Sequence, residues 1–350
     1  MDRNEIIYWL QENDVQKLKN LWHLADTTRS TYVGNEVHLR GIIEISNRCV
    51  RRCTYCGINN DNKNIPRYTM TSEEIMATVY EIASLNYGTV VIQSGEDFSM
   101  KAEWIGQIVR QIKSDTNLAV TLSLGERKKE EFKLWKECGA DRYLLKIETG
   151  NKELFKRIHP SSLQGHWKNR VDILQCLLAL GYETGSGIMV GIPGQTYDDV
   201  ANDLLLFKEL GIHMMGIGPY IPHPQTTLAE EYKNFANRET QVPNSEIMTY
   251  KVNALARIIC PDVNIPTTTA LATINSKNGR ELGLKRGANV IMPNFTPLKY
   301  RQSYEIYPRR ICLSEFGSAL HQGIKNRIYS VGRAIGKGPG SAPNLSNSGC

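Results

Sequence analysis

Three cysteines fall within eight residues, Cys49-Val-Arg-Arg-Cys53-Thr-Tyr-Cys56, directly after an apolar run. A structural zinc site would want a second Cys pair or a Cys/His pair ~12–20 residues away, and none follows at that distance. A disulfide framework belongs to small secreted chains, whereas this one is 350 residues long and its start (MDRNEIIYWLQ) lacks a signal-peptide core. Three thiolates can hold three irons of a four-iron cubane, which takes four protein ligands when closed. The fourth iron is then open to a ligand that is not protein.

Such a loop needs a rigid carrier, and the flanking sequence supplies a repeating one. His38–Ser46 reads as a buried strand leading into the loop. Thr89–Gln93, Ala119–Leu124, Arg142–Glu148, Thr184–Gly191, His213–Tyr220, Asn264–Thr269 and Asn289–Pro293 read as seven more, separated by amphipathic helices. Helix starts are marked by Thr71 with Glu74, and by Thr196 with Asp198 and Asp199 in the first turn. Eight strands alternating with helices predict a full parallel (β/α)8 TIM barrel, with an open doubly wound sheet as the runner-up. Residues 1–34 are expected to form a short helical extension and 35–334 the barrel. The Gly-, Ser- and Pro-rich 335–350 (IGKGPGSAPNLSNSGC) is expected to be a mobile tail, with Cys350 incidental.

Active sites of such barrels gather where the strands end. There the chain offers Gln93, Ser94, Gly95 and Glu96, then Thr121 and Ser123, Lys146 and Glu148, Ser186 and Met189, His223, Thr267–Thr269 and Asn294. Glu96 could bind an ammonium group or cap the next helix. Arg170 could clamp a carboxylate in two-pronged fashion or be a solvated helix arginine. Glu148, facing into a barrel, needs a partner. A ribose diol would serve, and so would Lys146, two residues away on the same face. The Tyr300–Pro308 stretch could close the barrel mouth or lie as a surface loop. His223 could be an acid/base group or a metal ligand, roles that few loop histidines fill.

Composition narrows the class. With 41% hydrophobic and 22% charged residues the chain reads as an ordinary globular protein. Its dispersed +6 net charge fits an anionic ligand better than nucleic acid. No run approaches the ~20 apolar residues of a membrane span. Eight cysteines without a secretory signal suit a reducing compartment, so a cytoplasmic location is expected.

The Cys49/Cys53/Cys56 triplet, with Tyr55 before its last member, resembles the C-x3-C-x2-C signature of the radical S-adenosylmethionine (SAM) superfamily. The segments CTYCGINNDNKNIPRYTMTSEEI, VIQSGED, VTLSLGE, GYETGSGIMVGIPGQT, GIGPYIPHPQTTLA, IPTTTA and YRQSYEIYP are similar to the HydE family of FeFe-hydrogenase maturases. That family shares a branch with biotin synthase and methylornithine synthase. The resemblance implies a 4Fe-4S cluster on Cys49, Cys53 and Cys56, its open iron chelated by SAM, and reductive cleavage of SAM to a 5′-deoxyadenosyl radical. Matched residue by residue, it implies that Ser94-Gly95-Glu96 meets the SAM ammonium, Glu148 its ribose or amino end and Arg170 its carboxylate. Tyr55, Ser123 and Met189 are further cofactor contacts. Lys146, Thr268, Thr269, Tyr304 and Tyr307 are the catalytic candidates, with Gln93 and Thr121 lining the substrate cavity. Implied partners are an iron-complex or other small-molecule substrate, a ferredoxin or flavodoxin as electron donor, and HydF- and HydG-type maturases.

The chain departs from the family in three places. Lys146-Ile147-Glu148-Thr149 stands where Arg-His-Glu-Thr is usual, which keeps a charge but loses the planar guanidinium fork. Of three C-terminal cysteines that hold an auxiliary cluster in some members only Cys312 remains, so no second cluster is expected. The stretch His159–Lys168 (HPSSLQGHWK) is longer than usual. These differences keep open a HydE-like paralogue acting on another small amino-acid or sulfur-containing molecule. A non-catalytic scaffold, with the cysteines on a structural ion, is the alternative of another class; it would be colourless and stable in air.

Overall fold

A computed structural model describes residues 1–160, 169–235, 238–308 and 317–348. Residues 161–168 of the longer stretch, Cys312 and Cys350 lie outside the described residues.

Buried β-branched runs such as TVVIQS have no solvent face, which suits parallel strands covered on both sides. Among the described residues eight strands form the ring: β1 (Glu36–Ser46), β2 (Thr89–Ser94), β3 (Ala119–Ser123), β4 (Arg142–Leu144), β5 (Glu183–Val190), β6 (Met214–Pro219), β7 (Pro266–Thr267) and β8 (Val290–Ile291). Their order is β6-β5-β4-β3-β2-β1-β8-β7, with neighbouring strands parallel. A parallel bridge between Met214 and Asn264 joins the two ends of this path. Met215 N donates to Asn264 O, and Asn264 N to His213 O, each at 2.9 Å. The ring therefore closes as a barrel, and the open-sheet alternative is excluded.

Strand alternation splits the residues between two environments. Ile43, Ile92, Leu122, Ile147, Ile188 and Ile217 join the apolar core under the helices. Ile42, Val91 and Thr121, aligned in register, belong to the opposite face and look into the lumen. The N-terminal helices Arg3–Gln11 and Val15–Val33 bury Ile6, Leu10, Leu21 and Ala25 in that same core. Four short helices lie where none was expected: Lys152–Ile158, Thr227–Glu231, Thr269–Ile274 and Leu298–Arg301. Among the described residues no helix is long and apolar enough to cross a membrane.

Two expectations are corrected. The fourth strand does not run regularly to Glu148. Its ladder gives way after Leu144, and Ser186, expected at the barrel mouth, turns sideways to hold the gap. Its Oγ donates to Leu145 O (2.8 Å) and accepts from Ile147 N (3.3 Å). The tail, expected to be mobile, makes defined contacts through 342. A ninth strand, β9 (Ala334–Ile335), pairs with the start of β1, and the chain then plugs the barrel floor. Arg40 Nη2 donates to Gly340 O, Arg142 Nη2 to Pro339 O, and Ala342 N to Glu183 Oε1, each at 3.0 Å.

Candidate active site

The cysteine loop leaves β1 and is tied down along its length. Val50 N donates to Glu96 O (2.9 Å), Thr54 N to Ile158 O (3.0 Å) and Gly57 N to Ile306 O (3.0 Å). Arg67 spends its guanidinium on the carbonyls of Asn47, Ile58, Asn59 and Asn62, at 2.6–2.9 Å. Gly95 lets β2 pass behind the loop, because a Cβ there would sit 2.3 Å from Arg48 O. Cys53 is buried, while Cys49 and Cys56 are half-buried. Burial raises all three thiols, Cys56 to about 12. Thiols so placed favour a cation that takes the place of their protons. Among the described residues no three His, Cys, Asp or Glu side chains are drawn together as around one ion.

Beside the loop runs a chain of alternating charge. Arg51 Nε donates to Glu96 Oε1 (2.9 Å), and its Nη2 pairs with both Glu96 and Glu126. Arg170 Nε then donates to Glu126 Oε1 (2.9 Å) and its Nη1 to Lys146 O (2.6 Å). Glu96 is thus a partner of the cysteine loop and does not cap the next helix, whose N-cap is Lys101. Burial raises its carboxyl against the opposing pull of Arg51. Arg170 is 9% exposed, which removes the solvated-arginine reading. Burial works to lower its guanidinium, but Tyr55, Glu126 and Cys53 outweigh that and the net shift is upward. Arg51 and Glu126 were missed in the sequence. The signals available were a charge inside the triplet and the Leu-Gly-Glu that follows β3.

Inside the ring lies a cavity of about 220 Å3. Of the expected site residues, Tyr55, Gln93, Lys146, Glu148, Met189, Thr268, Thr269 and Tyr307 line it. Apolar walls come from Ile42, Leu144, Met214 and Met292. Lys146 Nζ stands 2.9 Å from Glu148 Oε2, so the ion pair anticipated from strand alternation is present. Glu148 adopts φ 63°, a left-handed conformation that costs a non-glycine residue about 1 kcal/mol or more. Its N donates to Gly187 O and its O accepts from Met189 N, both at 3.0 Å, which holds it there.

Other expected residues stand back from the cavity. Tyr304 is buried behind the wall, its hydroxyl accepting from Gln93 Nε2 at 3.3 Å. Thr121 is buried on the lumen face of β3, its hydroxyl without a partner among the described residues. Ser123 ends β3 half-buried, and Ser94 donates to Gly95 O at 2.5 Å. Thr268 is partly committed, since its Oγ1 caps the helix Thr269–Ile274 by accepting from Leu271 N at 3.4 Å. Ile147 faces the apolar core, so Lys146 alone of that departure bears on a ligand. His223 is tied between loops. Its Nδ1 accepts from Gln225 N (3.1 Å), and its Nε2 faces Glu305 Oε1 (3.2 Å). Asn294 donates to Glu44 Oε2 at 2.9 Å. The segment after the helix Leu298–Arg301 does close the mouth. Ser303 O accepts from Asn47 and Ile306 O from Gly57, and Ile306 and Tyr307 line the cavity.

The site fits a cluster with a polar cofactor over it. Three cysteines share one braced loop whose Tyr55 lines the cavity, and Thr267 and Tyr220, which also line it, carry buried hydroxyls without partners among the described residues.

Comparison with known proteins agrees. Residues 43–207 match the family model of the radical SAM superfamily. The chain is 47% identical over 328 residues to the [FeFe] hydrogenase maturase subunit HydE of Thermotoga maritima, covering 94% of this chain and 90% of that one. Among solved structures, methylornithine synthase superposes with a TM-score of 0.81 at 22% identity, over 96% of this chain and 94% of that one. A maturase of the [FeFe]-hydrogenase, HydG, superposes with a TM-score of 0.76 at 18% identity, over 93% and 71%. Both share the barrel. With the triplet, the barrel and this identity together, the chain belongs to the HydE family of the radical SAM superfamily.

Proposed function

We propose that the chain binds a 4Fe-4S cluster through Cys49, Cys53 and Cys56, binds SAM above the lumen, and acts in assembly of the FeFe-hydrogenase di-iron site. The observation that carries this is a braced three-cysteine loop whose Tyr55 lines a largely apolar chamber inside the barrel. Bound there, a cluster and SAM would supply one-electron reductive cleavage of SAM, the electron coming from a ferredoxin or flavodoxin. The remaining work belongs to the protein. Cys49, Cys53 and Cys56 leave one iron open. Glu96 and Glu148 offer carboxylates to the ammonium and ribose of SAM, and Arg170 a guanidinium edge to its carboxylate. Met189 and Tyr55 pack beside them, and the Ile306–Tyr307 cover keeps water from the chamber. Gln93, Lys146, Thr268, Thr269 and Tyr307 are the groups that meet the substrate. The relative named as a hydrogenase maturase supports that task, with HydF- and HydG-type proteins as partners. Lys146 in place of the usual arginine supports a second reading, a HydE-like enzyme on another small sulfur-containing or amino-acid substrate.

Anaerobic reconstitution should give about four irons per chain and reductive cleavage of SAM, with Cys53→Ala losing both. A Cys53→Ala protein that keeps iron and cleavage would refute the assignment. Expression beside HydF, HydG and an apo-hydrogenase separates the two readings: only a maturase restores hydrogen evolution.

A further inference from the structure

Tyr55 brings the cysteine loop to the cavity wall, and a second, smaller apolar cluster holds it there. Leu154 and Ile158 on the helix Lys152–Ile158, Met189 on β5, Tyr220 after β6 and Leu228 on the helix Thr227–Glu231 make up most of this cluster. The backbone beside the ring is fixed from both sides. Thr54 N donates to Ile158 O at 3.0 Å, and Leu228 N donates to Thr54 O at 3.1 Å. A held backbone still leaves the side chain a choice of rotamers.

That choice falls to His159. The Tyr55 hydroxyl lies 3.0 Å from its Nε2, the two rings meeting edge to face at 83° with centres 5.4 Å apart. Burial holds the imidazole well below its ordinary value, so it is neutral and Nε2 accepts from the hydroxyl. Nδ1 is buried without a partner among the described residues, which leaves Tyr55 as the ring's polar contact there. The imidazole is itself held, stacked on Phe155 with centres 4.3 Å apart. Phe155 in turn lies under the Arg170 guanidinium, whose Cζ is 5.5 Å from its centre. Tyr55 and Arg170 therefore lean on one pair of rings.

A tyrosine tied in this way offers a ligand its ring and withholds its hydroxyl. Without the acceptor, the hydroxyl would be an unsatisfied polar group at an apolar wall. It would turn toward the polar groups of the lumen and carry the ring with it.

We propose that His159 is a positioning residue for SAM, holding the Tyr55 hydroxyl away from the cavity so that the ring alone meets the cofactor. This rests on the reading above that Tyr55 packs beside SAM. It adds a residue that acts only through Tyr55.

The test is equilibrium dialysis of SAM against anaerobically reconstituted protein, with melting temperature measured on each variant. His159→Phe keeps an aromatic ring against Phe155 and removes the acceptor. Its dissociation constant for SAM should rise about fivefold, the scale of one misplaced aromatic contact. His159→Gln, whose amide oxygen can stand where Nε2 does, should stay within about twofold of wild type. In a Tyr55→Phe background the same His159→Phe change should have no effect beyond that margin, because no hydroxyl is left to hold. A merely structural histidine would lower the melting temperature and leave the dissociation constant unchanged, which overturns the proposal. An undiminished effect in the Tyr55→Phe background overturns it too, since His159 would then act without Tyr55. Wild type that binds no SAM at all overturns the functional reading, and this inference with it.

Discussion

At the floor of the barrel two arginines and a glutamate are buried together; at the mouth two arginines and two glutamates lie together, Arg170 and Glu96 buried and Arg51 and Glu126 half-buried. Around Arg142 the floor is saturated, whereas Arg40 Nε has no partner among the described residues. Arg142 Nε donates to Glu183 Oε2 (2.5 Å), its Nη1 to Thr89 Oγ1 (2.9 Å) and its Nη2 to Pro339 O and Ser341 Oγ. Arg40, 1% exposed, donates to Gly340 O and lies 3.9 Å from Glu183; burial first, then Arg142, lowers its guanidinium to about 9. Floor arginines thus end on backbone carbonyls of the tail, which cannot leave. Mouth arginines end largely on carboxylates: Arg51 on Glu96 and Glu126, Arg170 on Glu126. A carboxylate at the rim of a chamber can be shared with an incoming cation, whereas a carbonyl in a packed plug cannot. The same side chains therefore close one end and equip the other.

Breaking the floor should cost stability and spare chemistry. Arg142→Ala leaves Glu183 buried beside Arg40 alone, at a loss of about 3–5 kcal/mol, the range for removing one partner of a buried pair. Urea denaturation would read that loss, while iron content per folded molecule stays at the wild-type level. A stability change below about 1 kcal/mol would mean that water or Arg40 replaces the lost partner and that the floor is not saturated.

The mouth should respond in the opposite sense. Glu96→Gln removes one charge from the chain, yet Arg51 keeps Glu126, so no charge is stranded and the expected loss of stability is smaller than at the floor. SAM binding should suffer more. A charged hydrogen bond is worth about 1.5–3 kcal/mol, so dialysis should show the dissociation constant rising roughly 10- to 150-fold. An unchanged constant would make Glu96 a brace for the cysteine loop and nothing else.

The two ends were not equally legible in sequence. The cysteine loop was, because ligand spacing is local and each thiol has few other uses at that density. The strands were, because TVVIQ and AVTLSL are buried on both faces and leave continuous apolar runs. The end of β4 was not. RYLLKIE alternates as a strand should, and nothing local shows that Glu148 turns left-handed, since neighbouring β5 supplies the bonds that hold it. Arg51 and Glu126 escaped for a related reason. Their meaning arises where loops from β1 and β3 meet, and along the chain only a charge inside the triplet and the Leu-Gly-Glu after β3 hint at it. The tail misled in a third way. Its small residues read as unstructured, but it binds mainly through backbone carbonyls and amides, to which composition is blind.

Asp203, on the helix Tyr197–Leu210, gives the finest test of the contrast, as a mouth-side carboxyl without a cation. Its Oδ1 accepts from Gly150 N at 2.5 Å, two residues beyond Glu148, and its Oδ2 has no partner among the described residues. Burial first, and then Asp199, raise it to about 8. The fold therefore holds a proton that the unfolded chain releases above the ordinary aspartate range. The contribution of Asp203 to wild-type stability then falls as pH rises from about 4 to about 8. Asp203→Asn keeps an acceptor for Gly150 and removes the ionisation. Its stability should vary less over that window and exceed wild type at pH 8, by about 2 °C or more in melting temperature. Parallel slopes for the two proteins between pH 5 and pH 8 would show that Asp203 is already ionised and that an unseen donor meets its Oδ2. In that case the turn carrying Glu148 would be braced by charge, as the floor is, and the distinction between a saturated floor and an exchangeable mouth would stop at Glu96 and Glu148.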